Sequence, residues 1–537
     1  MTAVPLTLRQ RLGFPVRRLL HPLTAILAVQ AGLSLTLVWS NTAFGDEADY
    51  LWIGHLLINH WLHGTSWPSA YGDKVLSGSP IIYPPLGALA DSIGGLAGAR
   101  MLSLAFMLGA TALLYLTASR VVNRSAALIA AALWALSEPV LRLAFATYDP
   151  LSVLLTALAV WFAVEAAYRR RGELVAAAAV ALALANATAY SGIIIDPVVI
   201  AFAFLVWLPR MGRRQAVFCA AWLAGGLGLC FGLAMTASHS WAGIMSTVID
   251  RSGRDNQSSL LVLKDSWRYS GLIVALAMIG AIAAVGAEVR QRATLLVFVA
   301  SAAFLVPLAQ LKDQTAWSLD KHLAYGLWFA VIAAGYGCDK LIRWIPRTRT
   351  RTRTAITCCV ALLAYPAVNS WEAAWGVYHG WANSRSFITN FAPIAARSHG
   401  SIDAAAAIHI AEYYTPQGRQ WARWNTNLSL DPTGPRSTWP SYYRTQLEST
   451  GFGVITIIYT TTLSSSTQPG SILLEPRAAS GYLDLLALVG DSSREPGLPA
   501  LTQALEADPR YQLAAQGPYD SANDHAVYAI WERKSEA

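Results

Sequence analysis

Charge is scarce in this chain. Only 13% of its 537 residues are Asp, Glu, Lys or Arg, while 54% are hydrophobic. A globular chain carries about 25% charged residues, so the deficit excludes an ordinary soluble enzyme. Cysteine is scarce too: Cys219, Cys230, Cys338, Cys358 and Cys359 lie in or beside apolar runs, and none follows residue 359. With no CxxC or Cys/His ligand spacing, neither a zinc site nor a disulfide framework is supported. A basic domain is also missing. The formal charge of +8 is spread over short arginine clusters, with no aromatic-basic stripe for a nucleic-acid strand to follow.

What is abundant is the apolar run of about 20 residues, the length that crosses about 30 Å of hydrocarbon. Arginine clusters separate these runs at Arg9 to Arg18, Arg120/Arg124, Arg169 to Arg171, Arg210/Arg213/Arg214, Arg290/Arg292 and Arg343 through Arg353. Two crossings lie between most successive clusters, and the opposite turns are richer in Trp, Tyr, Asp, Asn and Ser. The positive-inside rule places the clusters in the cytoplasm. Runs at 22–41, 99–119, 125–141, 150–168, 174–190, 192–208, 215–236, 269–288, 293–311, 322–344 and 355–371 predict about eleven helices. The first is read as a retained helix, because Asn41-Thr42-Ala43-Phe44 is a poor signal-peptide cleavage site. An odd count leaves the N-terminus inside and the tail outside.

The expected organisation is a membrane domain over 1–371, with a first outer loop at 42–98, and a water-soluble extracytoplasmic α/β domain over 372–537. The tail carries a turn at Asp431-Pro432-Thr433-Gly434 and a β-branched run, Val454 to Tyr459. A helical stretch at Leu498–Ala507 precedes strand-like runs at Tyr511–Ala515 and His525–Trp531. The basic repeat Arg347–Arg353 reads as a cytoplasmic stop between two membrane helices.

The first outer loop is too long for a mere connector. It opens Phe44-Gly45-Asp46-Glu47-Ala48-Asp49-Tyr50, continues through an interfacial-looking helix at Leu51–Leu62, and reaches Tyr83-Pro84-Pro85-Leu86 before Arg100-Met101-Leu102-Ser103. Asp-Glu-x-x-Tyr after a first membrane helix, then Pro-Pro-Leu, then Arg-x-x-Ser, resembles the GT-C superfamily. The pattern is most similar to the branch of protein O-mannosyltransferases and lipid A aminoarabinose (ArnT-like) transferases. The resemblance runs over about residues 40–170, through Tyr148-Asp149-Pro150-Leu151. It implies a polyprenyl-phosphate sugar donor, no nucleotide, and inverting transfer on the outer face. Asp46 would take the acceptor's proton, Glu47 would assist, and an Asp such as Asp149 would open the fourth helix. The aminoarabinose branch has Lys directly before Pro-Pro-Leu where this chain has Tyr83, which argues against that particular substrate.

The residue types fit such chemistry without the resemblance. A hydroxyl attacking an anomeric carbon needs a carboxylate within hydrogen-bond reach. A phosphate leaving group gains charge in the transition state, so fixed cations beside it stabilise that state. Arg100, Lys74, Lys321 and His322 are the outer cations available as phosphate ligands. Plainer readings stand beside these. Asp46 and Glu47 are also ordinary loop acids, and Asp149 before Pro150 suits a helix N-cap. Arg100 also suits snorkelling, and Lys321-His322 suits anchoring at the interface. Glu138 and Asp196-Pro197 fall near outer helix ends. His55, Asn59 and His63 share a helical face but lack an acidic partner on it, so no metal is assigned there.

The reading is therefore a polytopic α-helical membrane protein of GT-C fold in the cytoplasmic membrane. Its function would be sugar transfer from a polyprenyl-phosphate donor to a glycan, lipid or protein acceptor in cell-envelope glycan or glycoprotein synthesis. Its partners are membrane lipids, the donor and the acceptor, with no nucleic acid. No cofactor is expected, although the carboxylates Asp46, Glu47 and Asp49 leave a divalent metal open. The rival reading is a transporter or flippase of lipid-linked sugars, which should show paired halves; no internal repeat is evident.

Overall fold

A computed structural model describes residues 15–40, 42–69, 72, 76–249, 257–316, 318–344, 351–380, 383–398, 400–403, 408–416, 435–450, 452–460, 497–521 and 524–534. The chain forms two compact units. One comprises Met1–Leu35, Asp73–Ser79 and Arg100–Trp371; the other comprises Thr36–Gly72, Pro80–Ala99 and Glu372–Ala537. Lys74, the Asp431–Gly434 turn and residues 347–350 of the basic repeat lie outside the described residues.

The first unit is helical. Each apolar run named above carries helix, from Pro15–Val38 to Arg351–Gly380. Among the described residues, six helical segments are long and apolar enough to cross a membrane: Tyr83–Val121, Asp149–Arg169, Tyr190–Met211, Arg213–Ala237, Ser259–Ala287 and Arg290–Asp313. The helix Leu319–Trp344 runs through the core of this unit, buried continuously from Leu323 to Asp339. Small residues let its backbone approach its neighbours, as lipid-embedded helix contacts require. A Cβ at Gly280 would lie 1.9 Å from the Ala333 carbonyl oxygen, and one at Gly335 2.3 Å from that of Ala126.

Arginine clusters far apart in sequence, from Arg120 to Arg343, meet at one end of this unit. Arg120 and Arg169 both pair with the buried Glu165 carboxylate. Arg120 and Arg210 stack on the Tyr168 ring at 5.2 and 4.1 Å. Arg292 reaches the Val122 carbonyl at 2.6 Å. Arg343 pairs with Asp339 at 3.0 Å, and Asp339 also accepts from Asn123. The helix ending at Arg169 begins at Asp149, so Asp149 stands at the other end, about 30 Å away at 1.5 Å per residue.

In the second unit, strands β1 (Ser401–Asp403), β2 (Phe452–Thr460), β3 (Tyr511–Ser521) and β4 (Asp524–Arg533) form one sheet in the order β1-β2-β4-β3. β1 and β2 are parallel; the other neighbours are antiparallel. Strand alternation divides the apolar side chains between two cores. Val454, Tyr528 and Ile530 pack with Phe387, Phe391 and Ile410, and this core also takes Ala43 and Ala48. Ile455 and Trp531 pack on the opposite face with Trp439, Tyr443, Leu501 and Leu505. The helix Gly45–His63 is thus tied by its first turn to the same core as the sheet.

Candidate active site

In the first unit, the start of Asp149–Arg169 meets the start of Leu319–Trp344. Lys321 Nζ lies 3.1 Å from Asp149 Oδ2, and His322 Nε2 lies 3.7 Å from Oδ1. The Tyr325 hydroxyl donates to Asp149 Oδ1 at 3.5 Å. Tyr148, not Asp149, takes the position before the helix, and it is itself helical at φ −63° and ψ −35°. The N-cap reading of Asp149 is therefore corrected: its carboxylate is in the first turn and faces Lys321 and His322 from another helix. Lys321 and His322 are 17% and 14% exposed, set back into the protein beside that carboxylate.

A second ionic group lies on the same helix start. Arg142 binds Glu138 at 3.0 Å and Asp320 at 2.9 Å, and its guanidinium sits 5.8 Å from the centre of the Tyr269 ring. Arg268 approaches the same ring at 5.4 Å. Among the described residues, the buried Nε atoms of Arg142 and Arg268 find no hydrogen-bond partner. Arg100 is wholly buried, with its guanidinium 5.1 Å from the centre of the Phe145 ring. It does not snorkel. Asp196 is bonded to Asn186 at 2.7 Å.

In the second unit the acidic loop residues open the helix Gly45–His63. Phe44 is extended at φ −88° and ψ 175°, and its backbone N–H donates to Glu47 Oε2 at 3.4 Å. That is one arm of a capping box, and it gives the fully buried Glu47 a structural task at the helix start. Asp46 is half-buried and Asp49 is 6% exposed. Three residues apart, they share one helical face. His409, from the short helix Ile408–Tyr414, faces them: its Nδ1 is 3.5 Å from Asp49 Oδ1 and 3.7 Å from Glu412 Oε2. Burial disfavours charge on His409, but Asp49, Glu412 and Asp46 outweigh it and push its pKa up to about 9. Burial pushes the Glu412 carboxyl up to about 7, against the opposing pull of His409.

Further along, Asp91 accepts from the Tyr413 hydroxyl at 2.7 Å and pairs with His55 Nε2 at 2.6 Å. His55 thus has an acidic partner after all, from a different helix. Among the described residues no group of three His, Cys, Asp or Glu side chains is arranged to hold a metal ion. A cavity of ≈ 330 Å³ is lined by Trp39, Thr42, Arg385 and Tyr414 among others, and the Tyr414 hydroxyl accepts from the Ala43 N–H at 2.7 Å.

Residues 88–240 match the family model described as dolichyl-phosphate-mannose-protein mannosyltransferase. ArnT from Cupriavidus metallidurans in the apo state aligns over 96% of this chain and 98% of its own, with a TM-score of 0.57 at 12% identity. This chain has the GT-C fold. The same ArnT bound to undecaprenyl phosphate aligns over the same shares with a TM-score of 0.54 at 12% identity. The oligosaccharyltransferase AglB from Archaeoglobus fulgidus, in complex with an inhibitory peptide and a dolichol-phosphate, covers 82% of this chain and 69% of its own, with a TM-score of 0.53 at 13% identity. No curated protein matches by sequence.

Within this GT-C fold, the sequence reading had passed over Arg142, Arg268, Asp320, His409 and Glu412. Arg142 carried a usable signal, since it follows Glu138 by four residues on a helical face. Asp320 adjoins Lys321 directly. His409 and Glu412 carried none beyond their i, i+3 spacing, and they lie about 360 residues after the turn they face.

Proposed function

We propose that this chain is an inverting glycosyltransferase acting at the outer face of the cytoplasmic membrane, with a polyprenyl-phosphate sugar as donor and a hydroxyl of a glycan, lipid or protein as acceptor. The observation that carries the reading is the acidic turn Asp46–Asp49 in a chain that has the GT-C fold over nearly its whole length. The ArnT and AglB structures bind undecaprenyl phosphate and a dolichol-phosphate respectively, which supports a donor of that lipid class.

In the proposed step the acceptor oxygen attacks the anomeric carbon as the bond from that carbon to the phosphate oxygen breaks. The phosphate leaves with the electron pair, and Asp46 takes the hydroxyl proton. A base so placed contributes about 10²–10⁴-fold. Fixed cations stabilise a leaving phosphate as its charge grows, and within the first unit Lys321, His322 and Arg100 are the donor-phosphate ligands we propose. Asp149 fixes Lys321 and His322 in place. Glu47 serves Asp46 by closing the helix start that presents it. The step uses only the chain's own side chains.

The test is a transfer assay with purified protein, a panel of polyprenyl-phosphate sugars and the anomeric configuration of the product. Transfer from a lipid-linked donor with inversion is expected. Inertness toward every lipid-linked donor, together with lipid-linked sugar flux across vesicles, would replace this reading with that of a flippase.

A further inference from the structure

The hairpin joining the helices Glu173–Thr188 and Asp196–Met211 carries two polar side chains that the proposed step leaves unused. Glu173–Thr188 packs along Asp149–Arg169 and returns to its start, where Ser152 Oγ donates to the Ala185 carbonyl at 3.0 Å. Asn186 therefore stands at the Asp149 end of the first unit. We infer that Asn186 sets the sugar specificity of the transfer: its Oδ1 accepts a hydrogen bond from a hydroxyl of the donor sugar, and Asp196 is a positioning residue that holds the amide for it. This rests on the proposed function above.

An amide buried in an apolar helix is costly unless both of its ends are hydrogen-bonded. Asn186 is 1% exposed. Its Nδ2 donates to Asp196 Oδ2 at 2.7 Å, which fixes the way the amide faces; the opposite orientation would set two oxygens against each other. Among the described residues, Asn186 Oδ1 finds no donor, and neither does Asp196 Oδ1. Native proteins rarely leave a buried acceptor unpaired, so the Asn186 oxygen marks where a donor belongs.

The surroundings point to a sugar hydroxyl. At Gly192, in the 3₁₀ turn Tyr190–Ile195, the place a Cβ would take has Ser152 Oγ at 3.1 Å, Asn186 Oδ1 at 3.6 Å and the Tyr325 ring at 3.8 Å as its nearest neighbours. All three are side-chain atoms, and two are hydrogen-bonding oxygens. The Tyr325 hydroxyl donates to Asp149, whose other oxygen meets Lys321 at 3.1 Å. Asn186 is thus joined through Tyr325 to the cations proposed for the donor phosphate. In a sugar phosphate the ring hydroxyls lie only a few bonds from the phosphate, and each brings the proton that the Asn186 oxygen lacks. The hairpin is also held ready from the first outer loop. Ser79 N–H donates to the Ala187 carbonyl at 2.8 Å, and Tyr190 N–H to that of Ser77 at 2.9 Å. A metal ion fits less well, since among the described residues no three His, Cys, Asp or Glu side chains are grouped to hold one.

The experiment measures kcat/KM for the polyprenyl-phosphate sugar that the full-length protein uses best and for that sugar's monodeoxy analogues. It compares the wild type with Asn186→Leu, Asp196→Ala, Asp196→Asn and Gly192→Ala, each checked for monodispersity in detergent. In the wild type one deoxy analogue should lose roughly 10–100-fold, the effect of leaving a buried acceptor unpaired. Asn186→Leu and Asp196→Ala should erase the discrimination at that position alone. Asp196→Asn still offers an oxygen to the Asn186 amide and should keep it. Gly192→Ala leaves both side chains in place but sets a carbon 3.6 Å from Oδ1, so it should slow the parent sugar more than that deoxy analogue. A wild type that treats every deoxy analogue like the parent, or an active Asn186→Leu protein that still rejects the same one, would overturn the inference and leave the glycosyltransferase reading standing. So would wild-type kinetics in Gly192→Ala, which decides the matter if Asn186→Leu does not fold. Unchanged discrimination in Asp196→Ala would remove the part given to Asp196. A wild type inert to every lipid-linked donor would instead remove that reading and the inference with it.

Discussion

Replacing Asp149 with Asn removes the carboxylate that holds Lys321 and His322 while keeping its size. The three side chains are 6%, 17% and 14% exposed, so the stranded lysine has little access to water. Breaking a buried pair by removing one partner costs about 3–5 kcal/mol, because the remaining charge is left uncompensated. The partial exposure of Lys321 argues for the lower end, about 3 kcal/mol. The mechanism makes a further demand, namely that removing the stranded charge restores stability. The double variant Asp149→Asn/Lys321→Gln should therefore be more stable than Asp149→Asn alone, with a coupling of about 2 kcal/mol, inside the range of about 0.5–3 kcal/mol for residues in contact. The assay is denaturant unfolding in detergent micelles followed by tryptophan fluorescence, run on the wild type, both single variants and the double. Additive losses, with the double variant the least stable of the four, would refute the account of this ion pair.

Two other consequences follow from the same geometry. Gly280→Leu should destabilise the helical unit by about 3 kcal/mol through overpacking, because its Cβ would meet the Ala333 carbonyl oxygen at 1.9 Å; Gly286→Leu, with nothing within 4 Å of the added atom, should be neutral. The two melting points in one detergent decide this. The second unit should lose stability as the pH rises. His409 is raised from 6.5 to about 9 and Glu412 from 4.5 to about 7, so each contribution is complete below the lower value and lost as the pH passes the higher one. Amide exchange over 385–414, corrected for intrinsic rates, should speed up between pH 5 and 9 in the wild type. In His409→Gln the step toward pH 9 should vanish.

How much of this was legible in the sequence depended on the range of the interactions involved. Membrane helices announce themselves as apolar runs because each must satisfy its own backbone in hydrocarbon, and the run at 150–168 matches Asp149–Arg169 within a residue. The β-branched Val454–Tyr459 lies within β2, where side chains must fill two opposite cores. Local irregularity was harder to read. The span read at 99–119 follows a break at Gly94 and Gly95, and a further helical stretch from Tyr83, whose prolines fall in the first turn, precedes that break. The run at 293–311 hides a 3₁₀ segment at Ala302–Phe304.

At the candidate site, Asp46, Glu47 and Asp149 were visible because their order and placement repeat a known pattern. Their partners were not. The pairing of Asp149 with Lys321 crosses 172 residues, and that of Asp49 with His409 crosses 360. No periodicity in one chain reports such contacts. Arg100 was misread in one of its two alternatives because an arginine entering an apolar run looks alike whether it turns toward water or stacks under Phe145.

The measurement closest to the central claim is the single-turnover rate of sugar transfer from a polyprenyl-phosphate donor by Asp46→Asn against the wild type, with donor binding measured in parallel. The account predicts a loss of at least about 100-fold in rate with donor affinity nearly unchanged. An Asp46→Asn protein that transfers sugar at the wild-type rate would contradict it.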